Sequence, residues 1–117
     1  MAISVYAELD NVTVGTGELS IISGTTTLST DTTDGVFQLW VDDQTLMTKT
    51  EEYAIRIYEK VEATGGSKRQ VFKATLKGVQ SEIFVTPMLI LMHGWDMTIQ
   101  KIAGTDRAFD ANIRQIA

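Results

Sequence analysis

Apolar and polar residues alternate in short runs along most of this chain, and the dominant period is two. Ile3, Val5, Ala7 and Leu9 alternate with Ser4, Tyr6 and Glu8, the pattern of a strand with one face on a core. Residues 12–14 extend that run, and Gly15-Thr16-Gly17 turns the chain. Leu19 and Ile21 mark a second strand, and residues 25–30 a third, more polar one. Asp31-Thr32-Thr33-Asp34-Gly35 has the composition of a turn, because Asp bonds nearby backbone and Gly permits positive φ. Residues 36–41 (VFQLWV) form a strong strand, with Phe37, Leu39 and Val41 on one face and Val36, Gln38 and Trp40 on the other. A loop over 42–50 follows, in which Leu46 and Met47 are expected to plug an open end of the core.

The pattern is clearest over residues 51–62. Tyr53, Ile55, Ile57 and Val61 point one way; Arg56, Tyr58, Lys60 and Glu62 point the other. One face on the core and one in water is antiparallel behaviour. Thr64-Gly65-Gly66-Ser67 is a hairpin signal, so residues 68–77 should return directly, with Phe72, Ala74 and Leu76 inward. Residues 80–85 and 88–92 are extended on either side of Pro87, which cannot donate to a ladder and marks a bulge, an edge or a switch of sheets. Trp95, Met97 and Ile99 alternate inward, Gly104-Thr105-Asp106 turns, and Phe109, Ile113 and Ile116 complete the core. No amphipathic helix survives this reading. The prediction is an all-β, antiparallel sandwich of about nine short strands, jelly-roll or immunoglobulin-like, forming one domain over 1–117. The last strand is expected to pair near the first.

Composition sharpens this picture. Thr, Ile and Val supply 36 of 117 residues, and β-branched side chains fit a pleated sheet better than a helix. The absence of Cys excludes a thiol nucleophile, a disulfide and a Cys-ligated zinc site. A net charge of −5 opposes nonspecific nucleic-acid binding and an anionic membrane surface. The first 48 residues hold seven acids and no Lys or Arg, whereas the remainder carries a net +2, a hint of head-to-tail association between copies. The N-terminus has no basic, apolar leader pattern, and the most apolar stretch, 83–92, is too short to span a bilayer. A soluble protein made in a cytoplasm is expected.

Chemistry-bearing residues are sparse. His93 is the single imidazole; its nearest carboxylate is Asp96, and no serine elbow accompanies it. The pairs Asp42-Asp43 and Glu51-Glu52 are adjacent, so they point to opposite faces of a strand and read as solvated surface. Asp31-x-x-Asp34-Gly35 lacks the alternating ligands and distal Glu of a calcium loop. Trp40, Trp95 and Phe109 share strand faces with other apolar residues and are expected to be buried. The residues therefore predict no catalytic group, no cofactor and no metal.

Four segments carry a resemblance: LWVD at 39–42, AIRIYEKV at 54–61, PMLILMHGWD at 87–96 and GTDRAFDANIR at 104–114. Their order is similar to that of small virion structural proteins of tailed bacteriophages, over roughly residues 34–117. The resemblance implies a β-sandwich that decorates or cements the coat shell, in a virion assembled in the host cytoplasm. It implies the major capsid protein and copies of itself as partners, in a dimer or trimer with trimer preferred. The net charge of −5 leaves neither nucleic acid nor membrane expected as a partner. A neck or tail component is the alternative, and a glycan-binding module for a host surface comes after it. The expected partner-interface residues are Ile3 and Val5 on an edge-adding strand, Asp31 and Asp34 in the acidic loop, and Leu46 and Met47.

Overall fold

A computed structural model describes residues 2–43 and 48–116. Its strands, in chain order, are β1 (Ile3–Val14), β2 (Leu19–Ser20), β3 (Gly35–Asp43), β4 (Glu52–Glu59), β5 (Arg69–Lys77), β6 (Phe84–Val85), β7 (Leu89–Leu91), β8 (Trp95–Ala103) and β9 (Arg107–Ile116). They form two antiparallel sheets. The larger runs β1-β9-β3, with β6 and β7 both on the far side of β3; the smaller runs β2-β8-β4-β5. β6 and β7 act as one edge strand interrupted at Pro87. Thr86 fills the interruption: it is buried, and its N–H donates to the Leu39 carbonyl (3.0 Å) while its hydroxyl accepts from Leu39 N–H (3.0 Å). Counting that edge once leaves two four-stranded layers between which the chain crosses repeatedly. This is jelly-roll connectivity. The first and last strands pair along their length, from Ile3↔Ile116 to Val14↔Arg107.

The core follows the period-two pattern. Phe37, Leu39 and Val41 from β3, Ile55 and Ile57 from β4, Met97 and Ile99 from β8, and Phe109 and Ile113 from β9 meet between the layers, all essentially inaccessible to water. Tyr6, Phe37 and Trp95 cluster at one end, with Phe37 and Trp95 ring centroids 4.4 Å apart. Tyr53 and Phe109 meet at the other, 4.8 Å apart.

Four sequence expectations are corrected here. Ile3 and Val5 do not point inward; they are 68% and 55% exposed. A register shift between Val5 and Ala7 sets two residues of β1 against one of β9, so Tyr6 turns onto the core and the alternation restarts on the opposite phase. A second shift, between Leu9 and Val12, is accommodated by Asn11 at φ 52°. Residues 25–30 form no strand. They belong to a looped cover over β8, closed by a two-way backbone pair between Asp31 and Trp95 (2.8 Å each). Val61 lies beyond the end of β4 and is 92% exposed. Ile116, at the end of β9, is only half-buried.

Candidate functional site

The polar groups that looked most like chemistry are consumed by the fold. Asp96 projects from the outer side of β8 but is sealed beneath the 21–31 cover. It accepts from the Ser20 hydroxyl (2.7 Å), Ser29 N–H (2.8 Å) and Met97 N–H (2.9 Å). Burial pushes its carboxyl above the ordinary range, against the pull of these donors. It therefore serves the cover, not His93. The backbone N–H groups of Met92 and His93 both donate to Glu59 (2.6 and 2.9 Å), which holds the turn before β8. Glu51 is not solvated, as its pattern suggested, but 1% exposed. Arg107 reaches it at 2.7 Å, and Thr48 and Thr105 N–H groups donate to it. The Arg107 bond, opposed by burial, holds its carboxyl down at about 2. Gly104 makes room for it: at φ 94° it bears no Cβ, which would stand 2.4 Å from the Glu51 side chain. Among the described residues no group of three or more His, Asp or Glu gathers as a metal site.

The outer face of the larger sheet is different, and its character emerges from register. Ile3 lies opposite Ile116, Ile116 opposite Val36, and Val36 opposite Ile90. These four residues form one apolar row across β1, β9, β3 and β7. Directly opposed Cβ atoms are about 5 Å apart, so the row is about 14 Å long and continuous. Ile90 is 77% exposed, and Met88 and Met92 flank the row, also exposed. One groove of about 160 Å³ is lined by Ile3, Val36, Met88, Ile116 and Arg114. Another, of about 490 Å³, is lined by Asp34, Val36, Ile90, Met92 and Ile116. The two grooves share Val36 and Ile116 and so lie side by side.

Further along the same strands the face turns acidic. Trp40 is half-buried here, not in the core as its pattern suggested, because it shares the outward phase of β3 with Val36 and Gln38. The Arg114 guanidinium sits 3.7 Å over its ring, and its Nε1–H donates to Gln38 (3.0 Å). Beyond it, Glu8, Asp10, Asp42 and Asp110 border a groove of about 290 Å³. Asp42 and Asp110 are direct cross-strand partners, a like-charge pairing in which Asp110 also accepts from Asn11 N–H (2.8 Å).

The predicted interface residues divide accordingly. Ile3 belongs to the apolar row, Asp34 borders it, and Val5 lies one outward position along from it, opposite Arg114. Asp31 is set apart: its carboxylate accepts from the Tyr6 hydroxyl (2.6 Å) and Thr33 N–H (2.8 Å), tying down the loop. Leu46 and Met47 lie outside the described residues. Sequence reasoning missed Val36, Ile90 and Ile116 as surface. One signal was present for Val36, since the second face of residues 36–41 carries Val36 and Trp40 beside Gln38 and is largely apolar.

No family model matches this chain, and no curated protein matches it in sequence. Among solved structures, the Yersinia pseudotuberculosis-derived mitogen is similar with a TM-score of 0.51 and 8% identity, over 99% of this chain and 86% of that one. The Eiger TNF from S. frugiperda is similar with a TM-score of 0.42 and 14% identity, over 79% of this chain and 66% of that one. The likeness to the mitogen shows the fold alone, and the second is too loose to bear on this chain.

Proposed function

We propose that this chain is a non-enzymatic structural protein that works by holding other proteins, and that its setting is a tailed-phage virion, as a decoration or cement protein on the coat shell. The observation that supports this most is the apolar row Ile3–Ile116–Val36–Ile90 on an uncovered sheet face. Contiguous exposed apolar surface of this kind marks interaction sites. The same face grades into an acidic end, which gives a docking partner a direction as well as an attachment. The virion setting rests on the resemblance carried by residues 39–42, 54–61, 87–96 and 104–114. A non-catalytic role is favoured by how the polar groups are used: Asp96, Glu51 and Glu59 are spent on backbone and loop positioning.

The test is the copy number of this protein in purified virions, measured by quantitative mass spectrometry against the major coat protein. A ratio near one, or a simple fraction of it, is expected. A handful of copies would replace the shell reading with a neck or tail role. Complete absence would overturn the virion setting.

A further inference from the structure

We infer that the free edge of β5 is a docking site for an extended acidic segment of a partner protein, which adds to the smaller sheet as a further strand. The site lies on the other layer from the apolar row and does not depend on it. Among the described residues β5 pairs with β4 and with no other strand. That ladder runs unshifted from Glu52↔Lys77 to Ile57↔Phe72, so the far side of β5 presents a regular row of backbone donors and acceptors. No backbone group outside β4 bonds to the backbone of residues 69–76 among the described residues. An unpaired edge of this kind is a template for strand addition. β1, the other long edge, is a poorer template, because two register shifts break its row.

The side chains of β5 select the chemistry of the occupant. Lys73, Thr75 and Lys77 point outward and are exposed, whereas Phe72, Ala74 and Leu76 take the inward phase, Phe72 and Ala74 only half-buried. The strand carries three cations, Arg69, Lys73 and Lys77, and no acid. Arg69 and Lys77 have Glu59 and Glu52 as cross-strand neighbours, but Glu59 is engaged by the Met92 and His93 N–H groups. None of the three cations closes an ion pair among the described residues. Lys73 stands opposite Arg56, a like-charge pair on its β4 side, and a carboxylate on its free side relieves that repulsion. Lysine on an edge deters a second edge like itself; it attracts an acidic one. Directly opposed residues share a sheet face, so β5 dictates a pattern. Acids fit opposite Lys77 and Lys73, apolar residues opposite Leu76 and Ala74, and any strand former opposite Thr75. The occupant therefore reads acid, apolar, any, apolar, acid, in extended form.

The probe is the peptide Thr-Glu-Val-Thr-Val-Glu-Thr, capped at both ends and titrated into the whole chain at low salt. Hydrogen exchange should slow at alternate amides of residues 70–77, those that point away from β4, with β1 unchanged. Replacing both Glu residues of the peptide by Lys should weaken binding roughly ten-fold, and added salt should weaken it too. Placing Pro-Pro at the fourth and fifth positions should weaken binding roughly ten-fold as well, because it removes an N–H from whichever phase faces β5. Lys73→Glu sets an opposite charge against Arg56, so it should keep the urea midpoint while weakening the acidic peptide by a similar factor. No binding, protection outside β5, or an unchanged affinity for Lys73→Glu would overturn the inference. Equal binding of the Pro-Pro peptide would overturn it as well, since attraction would then be to bare charge and not to a strand edge.

Discussion

The outer faces of the two sheets come from strands of the same alternating kind, yet they reach opposite solutions. On the smaller sheet, polar side chains satisfy one another. Glu18 accepts from the hydroxyls of Tyr58 (2.7 Å) and Thr98, with Arg56 at 3.9 Å. Arg56 donates to Gln100 (2.6 Å), and Gln100 donates to the Thr16 carbonyl (2.8 Å). Burial and the bond to Glu18 push the Tyr58 hydroxyl up to about 12, which keeps it a donor. The larger sheet leaves an apolar row whose ends, Ile3 and Ile90, are exposed, and sets Asp42 against Asp110. A face that satisfies itself contributes to stability; on the proposed reading, recognition falls to the face of the other layer.

The comparison fails first if the shared core between the layers is removed. Trp95 packs on Phe37 beneath the larger sheet, donates to the Thr33 carbonyl (2.8 Å), and pairs through its backbone with the cover over the smaller one. Trp95→Ala is expected to cost about 3–5 kcal/mol, measured as a fall in the urea midpoint, with both faces lost in one transition. A loss under about 1 kcal/mol would mean that the cluster is not the common support.

A milder change separates the faces. Glu18→Ala strips an acceptor from Tyr58 and Thr98 and is expected to cost about 1–3 kcal/mol, with association through the larger sheet unchanged. If stability holds and association falls instead, the assignment of roles is reversed.

Acid provides a third test. Because Glu51 is held down at about 2 in the folded chain, against an unfolded value of about 4.3, its contribution is present above that unfolded value. It is lost as pH falls from the one toward the other. Asp96 has the opposite sign: its raised value favours folding at low pH, and that contribution is lost as pH rises. Urea midpoints between pH 7 and 2.5 should show a shallower acid decline for Glu51→Gln than for the natural sequence. Parallel curves would place the acid sensitivity elsewhere.

The smallest effect should carry a positive sign. Asp42→Asn relieves the like-charge pair with Asp110, so it should stabilise the chain by about 0.2–1 kcal/mol at low salt and by less at high salt. Equal effects at both salt concentrations would remove the electrostatic cost from the larger face.

Much of the fold was legible because alternation is a local property. Phe37, Leu39 and Val41, and likewise Tyr53, Ile55 and Ile57, announce their inward phase within a few residues, and the Gly65-Gly66 hairpin follows from its turn. Reasoning by alternation failed where an extra residue interrupts the period. The shift at Tyr6 reverses the phase of Ile3 and Val5, and no residue type in that run marks it. Glu51 was misjudged for another reason: its partner, Arg107, arrives from the far end of the chain.

By itself, then, the sequence determined the class of fold, most inward phases and the shortage of catalytic groups, since these depend on residue type and short-range period. Which outward residues stand side by side was decided only by tertiary structure. Ile3, Val36, Ile90 and Ile116 lie on four separate strands, and nothing along the chain relates them. Strand order and register place them in one row, because each cross-strand neighbour is set by pairing between distant segments.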